Sequence, residues 1–232
     1  MEKPRVALVT GAGRGIGQEV VRLLAEKGLV VWVAARKPDQ AKALTEELTT
    51  AGFVAHGLTL DVTDDSSVKA AAETVAKEGT GLDILINNAA ILLDRGNDMA
   101  EISIEALRTT LETNVVGVWR VIQAFLPLLE ESSAPRIINV SSGAAQLSDA
   151  SNWAPAYSVS KTALNGITAQ LAVARPRFAI NAVSPGWCRT EMGGAGATLS
   201  AVEGADSIVW LATVAPQELS GQFIHERRPM AW

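Results

Sequence analysis

Val6-Ala7-Leu8-Val9-Thr10-Gly11-Ala12-Gly13-Arg14-Gly15-Ile16-Gly17 is the stretch that decides the fold. Val6 to Val9 is a short, unbroken apolar run, as a strand covered on both faces requires. Four glycines follow, and the chain then opens into a helix-like segment, Gln18 to Lys27. Glycines in that place permit a tight turn and the close approach of a pyrophosphate, and they present amide groups at a helix N-terminus. The general G-x-G-x-x-G spacing does not fit, because counting from Gly11 its last glycine falls on Ile16. What fits is Gly11-x-x-x-Gly15-x-Gly17 preceded by Thr10. A flexible turn without a ligand is the plainer reading, and the strand before and helix after weigh against it.

Working outward, the same strand-helix rhythm runs along the chain. Candidate strands are Val6 to Thr10, Val30 to Ala35, Val54 to Leu60, Leu82 to Asn87, Arg136 to Ser141, Phe178 to Val183 and Gly221 to Ile224. Between them lie Gln18 to Lys27, Gln40 to Thr50, Ser66 to Lys77, Ile104 to Leu126 and Ser158 to Val173, all helix-like. Such alternation favours right-handed crossovers and a parallel sheet. The expected architecture is a single Rossmann-type α/β domain over residues 1–232, a doubly wound parallel sheet of about seven strands with helices on both faces. Residues 1–90 are expected mainly to bind cofactor, and residues 91–232 to supply the catalytic and substrate-binding part. Gly193-Gly194-Ala195-Gly196-Ala197 is the candidate mobile loop.

The end of the second strand bears on which dinucleotide fits. An NAD-selective site places an acid there for the ribose 2′-hydroxyl, about 20 residues past the glycines. This chain has Ala34-Ala35-Arg36-Lys37 instead, and Asp39 arrives too late. Arg36, joined by Arg14 of the glycine loop, suits a 2′-phosphate, since a guanidinium fork matches phosphate geometry. The expectation is NADP(H), against the plain alternative of two solvated surface arginines. Asp61-Val62 closes the third strand and either meets the adenine or serves as a helix cap or turn former.

Composition narrows the classes. Of 232 residues, 48% are hydrophobic and 19% charged, which suits one well-filled core. A net charge of −5 argues against a nucleic-acid or acidic-membrane partner. Cys188 is the only cysteine and the two histidines, His56 and His225, lie far apart, so a His/Cys metal site is not expected. The first strand begins at Val6 and no apolar run reaches membrane-spanning length, so the chain is expected to be soluble and cytoplasmic.

Tyr157 is the only tyrosine, and Lys161 follows four residues later, on the same face of a helix. A tyrosine can protonate a carbonyl oxygen, and a neighbouring ammonium draws its pKa of about 10 toward the working range. By itself a Tyr-x-x-x-Lys pair is weak evidence. Its weight comes from the ordered set around it: Thr10-Gly11-x-x-x-Gly15-Ile16-Gly17, Asp61-Val62, Asn87-Asn88-Ala89-Ala90, Asn114, Ser142, Tyr157-Ser158-Val159-Ser160-Lys161 and Pro185-Gly186 with Thr190. With these pieces, the chain resembles the short-chain dehydrogenase/reductase family over essentially its full length. It departs at Ala90, where the family usually has glycine.

The resemblance implies roles. Tyr157 would be the acid in reduction and the base in oxidation, and Lys161 would lower its pKa and bond the nicotinamide ribose. Ser142, rather than Ser141, would hold the substrate carbonyl, and Asn114 would position a proton-relaying water. Thr190 and the Pro185-Gly186 backbone would orient the carboxamide, and Asn88 with Ala89 would sit by the cofactor. From the residues alone, Ser142 is also readable as satisfying a strand end, and Asn114 as a polar residue at a helix kink. Leu92, Leu147, Trp153, Trp187 and Met192 are candidates for an apolar substrate pocket.

Pro185 to Gly194 and the ending from Gly221 to Trp232 resemble the carbonyl-reductase branch, which implies reduction of ketones and aldehydes with NADPH. Monomeric relatives there carry a long insertion between serine and tyrosine, whereas fourteen residues separate Ser142 from Tyr157. A homodimer or homotetramer is therefore expected, acting on a small carbonyl or alcohol substrate. Two alternatives stand beside this: an NAD(H)-preferring alcohol dehydrogenase, and a lapsed NAD(P)-binding regulatory protein.

Overall fold

The Val, Ile, Leu and Ala runs become strands because both of their faces are covered by helices. A computed structural model describes residues 3–232. Strands β1 (Val6–Thr10), β2 (Val30–Ala35), β3 (Ala55–Thr59), β4 (Ile84–Asn87), β5 (Arg136–Val140), β6 (Ala179–Val183) and β7 (Gln222–His225) lie in the order β3-β2-β1-β4-β5-β6-β7. These seven are parallel to their neighbours.

The sheet has eight strands rather than about seven. The additional one, β8 (Arg228–Met230), pairs antiparallel with β7. Its turn puts Glu226 and Arg227 at φ 47° and 61°. Turns of that kind normally advertise themselves with Asn or Gly, so nothing in this composition signals a hairpin. The tertiary structure holds the turn: Arg227 N donates to Ser207 Oγ at 3.1 Å, and the guanidinium pairs with Asp206.

Helices α1 (Gly15–Glu26), α2 (Pro38–Thr50) and α7 (Ala201–Thr213) cover one face. There Val21, Leu24, Leu44, Ile208 and Leu211 pack on Ala7, Val9, Val31 and Ile86. Helices α3 (Asp65–Glu78), α5 (Gly117–Glu130) and α6 (Pro155–Ala174) cover the other. There Val68, Val75, Val121, Phe125 and Leu164 meet Leu8, Trp32, Leu85 and Ile137. Alternate residues of each strand therefore serve opposite cores. Phe125 is fully buried in the second, where truncation to alanine costs about 3–5 kcal/mol.

The segment expected as one helix from Ile104 is broken in two. α4 (Ile104–Leu111) and α5 are joined by a π turn, Glu112–Val116, with Asn114 buried within it. α7 escaped the periodicity reading because Ile208-Val209-Trp210-Leu211 is apolar throughout and blurs the helical repeat.

Caps divide the helices into two kinds. Asp64 caps α3, Ser103 caps α4, and Ser200 with Glu203 forms a capping box on α7. α1 starts at Arg14 with no side-chain cap. Its first amide groups open onto the crevice between β1 and β4, where the strand order reverses and α/β sheets bind ligands.

Candidate active site

The glycine loop is held from behind by the residues that follow β4. Thr10 Oγ1 accepts hydrogen bonds from Asn88 N at 3.0 Å and Ala89 N at 3.1 Å. The Asn88 amide donates to Thr10 O at 2.9 Å and Gly11 O at 3.1 Å. This brings the loop so close to the next segment that a Cβ on Gly11 would lie 2.8 Å from Ala89 Cα, and Gly11 already has φ 64°. With Gly15 and Gly17 the result is a wall of bare backbone facing a helix N-terminus without a cap. That cradle fits the pyrophosphate of a dinucleotide.

The cleft in front of it has a volume of about 1320 Å³. Gly11, Arg14, Gly15, Ile16, Gly17, Arg36, Asp61, Val62, Asn88 and Ala89 line one end. Ser142, Tyr157, Lys161, Pro185, Gly186 and Thr190 line the rest. Arg36 is exposed at the end of β2, at the mouth. Arg14 lines the same end and forms an exposed ion pair with Glu191, in the loop beyond β6. Asp61 lines the cleft and also forms a turn, its Oδ1 accepting from Thr63 N at 2.9 Å and Thr63 Oγ1 at 2.7 Å. Thr190 accepts from Gly193 N at 2.9 Å, which folds the segment after it back toward the cleft.

At the centre, Ser142 lies two residues beyond the end of β5 and Tyr157 sits in the first turn of α6, one turn before Lys161. Burial pushes the Tyr157 phenol up to about 12, opposed by its hydrogen bond with the Ser142 side chain. Burial draws the Lys161 ammonium down to about 7. Lys161 Nζ donates to Val140 O at 2.8 Å and lies 5.6 Å from the Tyr157 ring centroid. In this arrangement burial is the dominant influence on the phenol, and it favours the protonated form. Ser141 is buried and donates to Lys161 O at 3.4 Å, whereas Ser142 meets Tyr157, which favours Ser142 over Ser141.

Asn114 does not line the cleft. Its Oδ1 accepts from Ile91 N at 2.9 Å, and its amide donates to Ile91 O at 2.9 Å and Ser160 Oγ at 3.0 Å. Ser160 Oγ in turn donates to Tyr157 O at 2.6 Å. The arrangement seen is thus a clamp on the π turn that reaches Tyr157 through Ser160, a link the sequence reading lacks although Ser160 stands inside the Tyr-x-x-x-Lys stretch.

Of the five pocket candidates, Leu92, Trp153, Trp187 and Met192 line the cleft. Trp153 meets Tyr157 edge-on with centroids 6.5 Å apart, under the Arg95 guanidinium at 5.5 Å. The Trp187 indole donates to Gly193 O at 2.9 Å. Leu147 is a correction: it is 72% exposed on a short 3₁₀ turn, Leu147–Asp149, and lies outside the cleft. The turn presents its neighbour Gln146 inward instead, beside His225 and Met230. The last two come from the β7–β8 hairpin, far away in sequence. Among the described residues, no cluster of three or more His, Cys, Asp or Glu is arranged to hold a metal, and no helix is long and apolar enough to cross a membrane.

Residues 5–198 match the family model for short chain dehydrogenase. The chain is 35% identical to the (+)-neomenthol dehydrogenase of Arabidopsis thaliana, the match covering 98% of each. It is 33% identical to a 3-oxoacyl-acyl-carrier-protein reductase of Vibrio harveyi, covering 95% of each. Its fold superposes on the NADPH-bound carbonyl reductase from chicken fatty liver with a TM-score of 0.90, at 30% identity and over 100% of both chains.

Proposed function

This chain belongs to the short-chain dehydrogenase family of oxidoreductases, and we propose that within it the chain is an NADPH-dependent reductase of ketones and aldehydes. The observation that carries the reading is a buried Tyr157 that lines one cleft with Ser142 and Lys161, one helical turn before Lys161, in the same cleft as an uncapped glycine-rich helix start.

Gly11, Gly15 and Gly17 with the α1 amides would hold the pyrophosphate, and Pro185, Gly186 and Thr190 the nicotinamide end. Bound there, a dihydronicotinamide supplies the hydride that a carbonyl carbon accepts. Ser142 orients the carbonyl oxygen toward Tyr157. Tyr157 delivers the proton to that oxygen, and its high pKa keeps the donor loaded at neutral pH. Lys161, one helical turn away with its Nζ 5.6 Å from the Tyr157 ring centroid, stabilises the phenolate left behind when it carries its proton.

Arg36 supports NADPH over NADH, as does the absence of an acid at the end of β2. Arg14, whose exposed pair with Glu191 is weak enough to exchange for a phosphate, supports the same preference from the other side. Trp153, Trp187 and Met192 support a neutral, cyclic or aromatic ketone as substrate. The exposed side chains of Val116 and Trp119, on the outer face of the α4–α5 unit, support self-association into a dimer or tetramer.

The test is oxidation of NADPH, with NADH in parallel, against aromatic, menthone-type and 3-oxoacyl ketones and aldehydes. Turnover that favours NADPH is expected. Faster turnover with NADH overturns the cofactor assignment, and silence across the panel in protein that binds NADPH favours a regulatory role. Tyr157→Phe should abolish turnover and leave NADPH binding intact; an active Tyr157→Phe enzyme overturns the assignment of the acid.

A further inference from the structure

α6 carries both Tyr157 and Lys161, yet the residue at its start, Ala154, has no side chain with which to cap it. Pro155 at the first helical position has no N–H, so the first unpaired donors are those of Ala156 and Tyr157. Asp94, sixty-two residues earlier, takes both. Its Oδ2 accepts from Ala156 N at 2.6 Å and from Tyr157 N at 3.4 Å. Asp94 is 1% exposed, and its other oxygen, Oδ1, is buried with no hydrogen-bond partner among the described residues.

A buried carboxylate is costly to keep, and a surface helix start is ordinarily capped by its own Ser, Thr, Asp or Asn. A local cap would stabilise α6 equally well but would say nothing about where α6 stands relative to the cofactor wall. Asp94 belongs to the segment that leaves β4, three residues after Ile91. Asn114 grips Ile91 on both its N–H and its carbonyl. The Tyr157 backbone is thus fixed at both ends from one scaffold. Its N–H is held by Asp94, and its carbonyl by Ser160, which Asn114 holds in turn. The same β4 exit, through Asn88 and Ala89, fixes the glycine loop.

We propose that Asp94 is a positioning residue for the reaction, a long-range cap that sets the distance between the Tyr157 phenol and the cofactor cradle. It touches neither substrate nor cofactor, and the proposal rests on Tyr157 being the acid. Because a displacement of about 1 Å at a reacting group can cost up to a hundredfold in rate, the effect belongs in kcat rather than in binding.

The experiment compares Asp94→Ala and Asp94→Asn in the full chain, measuring kcat, KM for ketone, NADPH affinity and melting temperature, with Tyr157→Phe alongside. Asp94→Ala is expected to lower kcat roughly tenfold to a hundredfold with NADPH affinity unchanged. Asp94→Asn, which keeps an acceptor oxygen for the two amides, is expected to recover most of kcat. Unchanged kcat in Asp94→Ala beside an inactive Tyr157→Phe overturns the positioning role and leaves the acid assignment standing. An active Tyr157→Phe removes the acid assignment, and this inference with it. Parallel losses of stability, NADPH affinity and kcat that Asn does not rescue reduce Asp94 to a fold element and also overturn the proposal. If Asp94→Ala does not fold, Asp94→Ser serves in its place: its shorter reach should lower kcat, and a wild-type kcat overturns the proposal.

Discussion

Replacing Lys161 by methionine should change the pH dependence of stability in a calculable way. The ammonium is buried, and desolvation lowers its pKa from 10.5 to about 7. Below about pH 7 the group is charged in both folded and unfolded chains, and the folded state bears the full cost of burying it. Between about 7 and 10.5 the unfolded chain binds a proton that the folded chain does not, so stability rises with pH by about 1.4 kcal/mol per pH unit. Tyr157, pushed up to about 12, has the opposite sign but acts only above about pH 10. Between pH 6 and 9.5 the Lys161 contribution therefore grows by about 3 kcal/mol. Methionine fills the same space without a charge and loses only the bond to Val140 O, worth about 1 kcal/mol. Urea unfolding of both proteins at 25 °C measures the difference directly. The variant should be the more stable at pH 6, and the wild type should gain on it by about 3 kcal/mol at pH 9.5. A difference that stays constant within about 0.5 kcal/mol would mean that Lys161 keeps its proton throughout, and that burial does not govern its charge. Turnover should be lost in the variant at every pH.

Two further changes test the cradle. Gly11→Ala adds a left-handed alanine, about 1 kcal/mol, and a Cβ 2.8 Å from Ala89 Cα, where backbone cannot yield and overpacking costs about 1–3 kcal/mol. A melting temperature lower by about 4–15 °C and loss of NADPH binding are expected, while Gly52→Ala, at φ 89° in open space, should show only the smaller backbone cost; equal effects of the two would refute the close approach. Arg36→Ala should raise the KM for NADPH about ten- to hundredfold, the loss of a charged hydrogen bond, and leave the KM for NADH alone; unchanged NADPH kinetics would show that the 2′-phosphate does not rest there.

The sheet and the reactive side chains were legible in the sequence because both depend on short-range patterns. Short apolar runs such as Val6–Val9 and Val30–Ala35, set between helix-length segments, read as strands covered on both faces, and glycine spacing or Tyr-x-x-x-Lys spacing is a local property of one turn or one helix. The β7–β8 hairpin was hidden because its left-handed turn is made by Glu226 and Arg227, which contacts with Asp206 and Ser207 help to hold there. Leu147 looked like pocket lining because it lies near the reactive residues in sequence; the direction its short turn faces was settled by the elements packed around it. Which acceptor Lys161 would choose, that Arg14 would face Glu191, and that Asp94 would cap the catalytic helix are likewise absent from any local pattern. Each is a contact between segments far apart in the chain. Residue type determines what such groups can bond; only the folded packing decides which partner is near enough, and how little water remains to compete.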